Sequence, residues 1–385
     1  MAQVRTPINK NVLRWAIAES GLDLPAVAHR VRRPLDEVEG WVEGTGQPTR
    51  AQLRRLSEEL RRPSAFFYLA EPPAEAGLPA NLRSAPGLGS KELTLREVRS
   101  IRWMLRLQRT LAWLAKDDPA ATPPSVPTSP PGGEPSSAAE AAREWLGVTV
   151  ADQIAQPNGR EALKLWRNAL EDRGLLVTQF QIDRQAIRGF SAWNDLVPLI
   201  AVNTAYTPQA RTYSLMHELG HLVRRDGSAC AGFVGPNDER RVERWCEEFA
   251  AALLLPQADF AAFAPSYVGS EDGSAYETVK SLARTFNVSV RATAIRLIEL
   301  GRAETQLYDT VDRAATAAYD DFPQVREQSG GGETSPEMRL RQLGPKVVRE
   351  LLAASDAGSI TSRDVGDYLH LTPNQVTDIA SLARG

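Results

Sequence analysis

Two of the four histidines in this 385-residue chain, His217 and His221, stand four residues apart. They enclose Glu218, Leu219 and Gly220 in an H-E-x-x-H pattern. On an α-helix, residues four apart share a face, so both imidazoles can bind one metal ion. Glu218 would lie beside that ion, where its carboxylate suits a general base acting on a water molecule. The alternative is a helix whose histidines only pack, but the motif favours a zinc-dependent hydrolase.

The residues around the motif predict the helix that must position it. Thr207 is a suitable N-cap, and Pro208 is suited to the first helical position. An apolar surface would surround the histidines, supplied by Leu215, Met216, Leu219, Leu222 and Val223. Gly220 costs a helix interior about 1 kcal/mol relative to Ala, so its presence needs a packing or functional reason.

A third metal ligand is expected, because a catalytic zinc usually takes three protein ligands and leaves one position to water. The other two histidines, His29 and His370, are remote in sequence. The candidates are therefore carboxylates on a second predicted helix that ends at Pro256. Three glutamates on this helix are spaced four residues apart and so share one face, namely Glu239, Glu243 and Glu247.

The cysteines, Cys230 and Cys246, are weaker ligand candidates because their spacing fits no structural zinc pattern. They also cannot form a disulfide framework. The net charge of −3 and the pI near 6.0 give no global nucleic-acid signature. No apolar run is long enough to span a membrane, and the first residues lack an apolar signal core. These features predict a soluble cytoplasmic protein without a membrane partner.

Residues 8–70 are predicted to be helical. The helices are expected at Asn11–Glu19, Leu24–Val31, Leu35–Glu43 and Thr49–Leu60. The region resembles a helix-turn-helix domain of the Xre/Cro repressor type. The resemblance is carried by Leu24-Pro-Ala-Val-Ala28, Val38, Trp41, Gly44, Pro48-Thr49, Leu53 and Leu56.

This resemblance implies that Leu35–Glu43 enters the major groove of DNA, with Arg32 and Arg33 contacting phosphates or bases. The same helix carries four carboxylates that phosphate would repel, on Asp36, Glu37, Glu39 and Glu43. The alternative is a helical interaction module that does not bind DNA.

The middle of the chain is predicted to connect this domain to a second one. Residues 71–116 are predicted to form a helical segment that serves either as a connector or as a dimer-forming helix. A homodimer is therefore one of the two alternatives. Residues 117–137 are rich in Pro, Ala, Ser and Gly and are predicted to be a flexible linker without a core.

Residues 138–305 are predicted to form the metal-binding domain. Helices are expected at about 138–146 and 159–173, followed by strands at Leu175–Ile182, Ala186–Trp193 and Val197–Asn203. Strands followed by an H-E-x-x-H helix are the order found in zinc metallopeptidases. There an edge strand binds extended peptide, and Gly189–Trp193 is expected near that edge.

The segment from about 160 to 300 resembles the ImmA/IrrE family of zinc-dependent endopeptidases. The matches are Gly189-Phe190, Pro198, Ile200-Ala-Val-Asn203, the His217–His221 motif, Glu243, Phe249-Ala-Ala-Ala-Leu-Leu-Leu-Pro256, Leu282-Ala283, Val288-Ser289 and Arg296-Leu297. The resemblance implies a zincin-like fold and makes Glu243 the third ligand. Zinc is the expected ion, while Mn²⁺ or another divalent ion stays open.

Glu247 departs from the family, which often has Ala-Asn where this chain has Cys246-Glu247. It could orient a ligand, compete as a ligand, or face solvent. Tyr206 and Tyr213 are candidates for stabilising an oxyanion by proximity alone, and a core or surface role is favoured for each.

Residues 306–385 are predicted to be helical, with a flexible break at Ser329–Glu333. The tail, Pro345–Ala383, is similar to small helix-turn-helix-like tails, although a docking or dimer helix pair is the preferred interpretation. The fold class is therefore α+β and multidomain, with an all-α N-terminal domain, a zincin-like domain with a small sheet, and a helical C-terminal region.

The leading functional hypothesis is a zinc endopeptidase fused to a DNA-binding-type domain. The resemblance implies cleavage of a transcriptional repressor or antitoxin-like regulator, with DNA a second partner through residues 8–70. The alternative is a transcriptional regulator whose metallopeptidase-like domain acts as a sensor or scaffold. The intact set of His217, Glu218, His221 and Glu243 favours the enzyme.

Overall fold

The computed structural model describes most of the chain. The described residues are 5–20, 22–60, 62, 64–72, 83–84, 95–116, 118–119, 121–182, 187–225, 236–269, 273–320 and 335–384. The chain divides into two compact units. The first unit contains residues 1–78 and 92–103, and the second contains residues 79–91 and 104–385.

The first unit is helical, as its apolar periodicity predicts. Its elements are α1 (Lys10–Ser20), α2 (Leu24–Val31), α3 (Leu35–Glu43), α4 (Arg50–Glu59), a 3₁₀ turn (Ser64–Tyr68) and the start of α5 (Leu95–Lys116). Trp41, Leu56 and Phe67 are among the side chains fully buried at its centre. Thr49 caps α4 by accepting a hydrogen bond from the Gln52 backbone, so the predicted start of that helix is confirmed.

The second unit is mostly helical around a small sheet. Its strands are β1 (Arg83–Ser84), β2 (Leu176–Phe180), β3 (Ile187–Ala192) and β4 (Leu199–Asn203). Its helices after α5 are α6 (Pro135–Leu146), α7 (Val150–Ile154), α8 (Gly159–Asp172), α9 (Pro208–Arg224), α10 (Pro236–Leu254), α11 (Gln257–Phe263), α12 (Gly273–Thr285), α13 (Val290–Glu299), α14 (Gln306–Asp320), α15 (Pro336–Leu343), α16 (Pro345–Asp356), α17 (Ser362–Leu369) and α18 (Pro373–Arg384).

The sheet has the strand order β1-β3-β4-β2. β4 pairs parallel to β2 and antiparallel to β3, while the two-residue β1 pairs only with Ile187 and Gly189. Every residue of β2 and β4 is buried, including the polar residues Thr178, Gln179 and Asn203. The three predicted strands are therefore present, and β3 lies next to the edge of the sheet.

The segment after α5 corrects one expectation from the sequence. Residues 117–137 were predicted to bury no core, yet Val126 is only 4% exposed and belongs to the core of the second unit. The Ser129 backbone N–H donates to the Val223 carbonyl, and Trp245 Nε1 donates to the Gly133 carbonyl. A segment rich in proline can thus pack as an extended strap when its backbone groups find partners.

The C-terminal helices continue the second unit. Leu307 and Val311 of α14 join its core, and Arg167 of α8 donates to the Arg341 carbonyl in α15 at 2.7 Å. The predicted break at 329–333 lies outside the described residues. The architecture fits the α+β class broadly. No helix of the described residues is long and apolar enough to cross a membrane.

Candidate metal centre

The helix that carries the H-E-x-x-H motif is α9, and it begins as predicted. Thr207 Oγ1 accepts a hydrogen bond from the Ala210 backbone at 3.3 Å, and Pro208 occupies the first turn. The helix ends at Arg225, which adopts the left-handed conformation. From Ser214 to Val223 every residue is buried, so the motif lies in the core and not on a surface helix.

The two imidazoles converge, because they lie one turn apart on α9. Their Nε2 atoms are 3.2 Å apart. His217 is fully buried and His221 is 4% exposed. Two imidazole nitrogens at this distance share either one proton or one metal ion between them.

Glu243 of α10 completes the group. Its Oε2 lies 3.3 Å from His217 Nε2, and its Oε1 lies 3.3 Å from His221 Nε2. Its side chain is 34% exposed, so one side of the group opens toward solvent. Among the residues that the structure describes, these three form the only cluster of His, Cys, Asp and Glu side chains that can hold a metal ion.

The separations within this group fit a tetrahedral metal. Ligand atoms bound at 2.0–2.1 Å with tetrahedral angles lie about 3.3–3.4 Å apart. The nitrogen–nitrogen and nitrogen–oxygen distances are 3.2 and 3.3 Å. Two neutral imidazoles and one carboxylate are also the donor set that suits zinc. The exposed side leaves room for a fourth ligand.

Gly220 explains how α10 comes close enough. A Cβ at Gly220 would lie 3.2 Å from Phe249 Cδ1 and 3.3 Å from both Cα and Cβ of Cys246. These separations are tighter than ordinary van der Waals contact. The glycine therefore lets α9 and α10 pack closely, which holds Glu243 against the imidazoles.

Glu218 lies on the other side of the motif, against β3. It is fully buried, and Ser191 Oγ donates a hydrogen bond to its Oε2 at 3.0 Å. A Cβ at Gly189 would lie 2.8 Å from the Ala201 carbonyl oxygen and 3.4 Å from Glu218 Oε1. The sheet thus fixes the carboxylate beside the histidines.

The protonation states of the cluster depend on one another. Burial opposes the charge on Glu243, but hydrogen bonds from His217 and His221 outweigh it and lower the pKa of Glu243.. Burial alone would lower the pKa of His221. The interactions of His221 with Cys246, Glu243 and Glu218 outweigh burial and hold this pKa well above its usual value. Without a metal, the site therefore favours a carboxylate beside a protonated imidazole.

A comparison with protein families agrees with this geometry. Residues 170–298 match a peptidase family whose model is described as the IrrE N-terminal-like domain. This segment is a metallopeptidase-like domain. The match covers about a third of the chain and includes β2–β4, α9 and α10. No curated protein matches the sequence.

The other ligand candidates whose side chains are described, Cys246 and Glu247, also lie on α10. Glu247 is exposed and Cys246 is a buried free thiol, whose pKa is raised by burial. Neither is a member of the metal-binding group. The side chain of Glu239 and the whole of Cys230 lie outside the described residues.

The tyrosines considered as oxyanion donors have other contacts. Tyr213 Oη donates to the Glu247 carbonyl at 3.1 Å, a contact between α9 and α10. The ring of Tyr206 lies 5.3 Å from the Arg188 guanidinium. These contacts fit the structural roles that the sequence favours for both residues.

The arginines predicted to contact DNA lie in the turn between α2 and α3. Arg32 adopts the left-handed conformation there and is exposed. Arg33 Nε pairs with Glu37 Oε2 at 2.8 Å, so a carboxylate of α3 already partners one of the two cations. Their role in binding DNA stays a prediction.

Ser191 and Gly189 are the site residues that the sequence did not single out for this role. Ser191 is 27 positions before Glu218, and only the pairing of β3 with β4 brings it to α9. The family match at Gly189-Phe190 was the one local signal for this strand.

Proposed function

We propose that this protein is a metal-dependent endopeptidase and that zinc is its ion. The proposal is carried by the group of His217, His221 and Glu243, whose donor atoms lie 3.2–3.3 Å apart. The match of residues 170–298 to a peptidase family supports it.

The chemistry divides between the ion and Glu218. A zinc ion bound here would polarise the scissile carbonyl and lower the pKa of a water molecule toward about 7. Glu218 takes the proton from the attacking water and passes it to the leaving amine. Its full burial and its hydrogen bond from Ser191 to Oε2 fix the orientation of this carboxylate beside the histidines.

The substrate binds as an extended segment beside β3. An added strand gains main-chain hydrogen bonds at a sheet edge, and side-chain pockets give selectivity. Among the described residues, β1 pairs with Ile187 and Gly189 of β3. Gly189 and Ser191 also bring this strand against Glu218, which places the strand beside the reacting groups.

The substrate class that we propose is a regulatory protein, such as a transcriptional repressor or an antitoxin-like partner. This choice rests on the resemblance of the domain to the ImmA/IrrE endopeptidases and on a helical N-terminal unit similar to Xre/Cro repressors. A peptidase joined to such a unit is suited to limited cleavage of one partner.

The proposal is tested by mapping new protein N-termini in cells of the source organism. Cells lacking the protein are complemented with the wild type, with Glu218→Gln, or with Glu247→Gln as a matched control. We expect a small set of new N-termini with the wild type and the control but not with Glu218→Gln. If the three proteins all bind zinc and the N-termini are nevertheless the same in every strain, the result would instead favour a domain that acts as a sensor or scaffold.

A further inference from the structure

Two helix pairs near opposite ends of the chain share one local geometry. α2 and α3 are joined by three residues beginning at Arg32, and α17 and α18 by three residues beginning at His370. The first turn residue is left-handed in both, with φ and ψ of 56° and 51° at Arg32 and of 53° and 45° at His370.

The hydrogen bonds of the two turns also correspond. The N–H of Arg33 donates to the Ala28 carbonyl at 3.0 Å, and the N–H of Leu371 donates to the Gly366 carbonyl at 2.9 Å. In both turns the residue after the left-handed one therefore bonds five residues back. This repeated bond fixes the angle at which the second helix leaves the first.

The side chains around the two turns align residue by residue at a constant offset. Buried apolar residues occupy equivalent positions in the pairs Val27 and Val365, Val31 and Leu369, and Trp41 and Ile379. The N-caps align as well, because Asp23 and Thr361 each accept a hydrogen bond from the backbone three residues later.

A small residue is needed where the two helices meet. A Cβ at Gly366 would lie 2.9 Å from the Leu371 carbonyl oxygen. The equivalent position in the first pair is Ala28, which is buried. α16 packs against both α17 and α18, so the C-terminal pair is part of a three-helix group.

Two helices joined by a three-residue turn, with the second helix exposed, are the arrangement by which helix-turn-helix proteins read the major groove. We infer that residues 345–384 form a helix-turn-helix unit that binds duplex DNA, with α18 as the recognition helix. This inference does not depend on the peptidase activity.

The outward face of α18 suits contact with base edges. Asn374, Thr377 and Ser381 are exposed and recur at helical spacing from the start of the helix. An asparagine can bond an adenine through two hydrogen bonds, and hydroxyl groups can donate to or accept from bases. Asp378 is the one carboxylate on this face.

The equivalent face of α3 is acidic. Asp36, Glu39 and Glu43 occupy the positions of Asn374, Thr377 and Ser381 and are also exposed. Three carboxylates at these positions would lie near phosphates if α3 entered the groove, and phosphate repels them. The two turns share a backbone conformation, but only the C-terminal pair presents uncharged hydrogen-bonding groups at these three positions.

Phosphate contacts can come from exposed arginines at the ends of the C-terminal helices. Arg363 lies in the first turn of α17, and Arg384 ends α18. Basic and acidic side chains are nearly balanced over residues 345–384, so we expect a shallow salt dependence of binding.

The experiment uses the full-length protein and a pool of duplex DNA with a randomised centre. We expect selection to enrich one sequence, whose affinity is then measured by fluorescence anisotropy. Asn374→Ala combined with Thr377→Ala should weaken binding of that sequence by about 10–100-fold. Both residues are exposed, so circular dichroism should show an unchanged fold.

The matched control changes exposed polar residues on another helix, α6. Ser136→Ala combined with Ser137→Ala should leave the affinity unchanged, while Arg363→Ala should reduce the slope of log affinity against log salt by about one. The inference is overturned if no sequence is enriched at low salt. It is equally overturned if the control loses binding while the Asn374 and Thr377 variant retains it.

Discussion

Ser191 Oγ donates a hydrogen bond to Glu218 Oε2 at 3.0 Å, and both side chains are buried. This contact joins β3 to the helix that carries both histidines. It fixes the orientation of a carboxylate that has to face the reacting water. Because Glu218 is not a member of the metal-binding group, a residue that orients it should act on the rate and not on metal binding.

Ser191→Ala should therefore keep the metal and slow the reaction. We expect kcat to fall by about tenfold, within the range for groups that support a metal site, with zinc content unchanged. Thr at this position keeps the hydroxyl and should restore part of the rate. Peptide hydrolysis and metal content are measured on the same preparations. An unchanged kcat in Ser191→Ala would show that Glu218 needs no such support.

Gly220→Ala should weaken the metal site although it adds a better helix former. The gain in helix propensity is about 1 kcal/mol, while a methyl group forced between packed helices costs about 1–3 kcal/mol. The new Cβ would push Phe249 and Cys246 away from α9, and Glu243 moves with them.

We expect Gly220→Ala to lower zinc affinity by about tenfold and to lower the melting temperature of the metal-free protein. Gly269→Ala serves as the control, since a Cβ at Gly269 meets nothing within 4 Å. Equal zinc affinity in Gly220→Ala and the wild type would mean that the helix contact does not position Glu243.

Zinc affinity should rise with pH through the neutral range. The pKa of His221 in the metal-free site lies well above its usual value, so the imidazole is protonated at neutral pH. Binding must release that proton, which makes affinity increase by up to about tenfold per pH unit until the pH passes the pKa.

Calorimetry in buffers of different ionisation enthalpy measures the released proton directly. We expect release of about one proton per zinc near pH 7. Heats of binding that are independent of the buffer would contradict the protonated state of His221 in the metal-free protein.

The local parts of the site could be predicted from the sequence. Thr207, Pro208 and the spacing of the two histidines are signals within one helix, and the structure has that helix where they predict it. Glu243 is different, because spacing alone left three carboxylates open and the family resemblance singled it out. Of the two whose side chains the structure describes, Glu243 and not Glu247 joins both imidazoles.

Other features depend on contacts that are distant in sequence. Ser191 reaches Glu218 only through the pairing of β3 with β4, and a lone serine in a strand gives no sign of it. Val126 is a single apolar residue among prolines and serines, so no periodicity indicated that its segment packs on the core. The aligned residues around Arg32 and His370 were present in the sequence. Only the backbone angles, with a positive φ at both residues, showed that the two turns have the same conformation.

The most direct test of the account is the zinc content of the purified protein and its variants. Wild type should bind about one zinc per chain. His217→Ala and Glu243→Ala should lose it, because each removes a ligand from a three-ligand site, while Glu218→Gln and Glu247→Ala should keep it. The account is contradicted if wild type takes up no metal after reconstitution, or if Glu243→Ala retains full zinc while Glu247→Ala loses it.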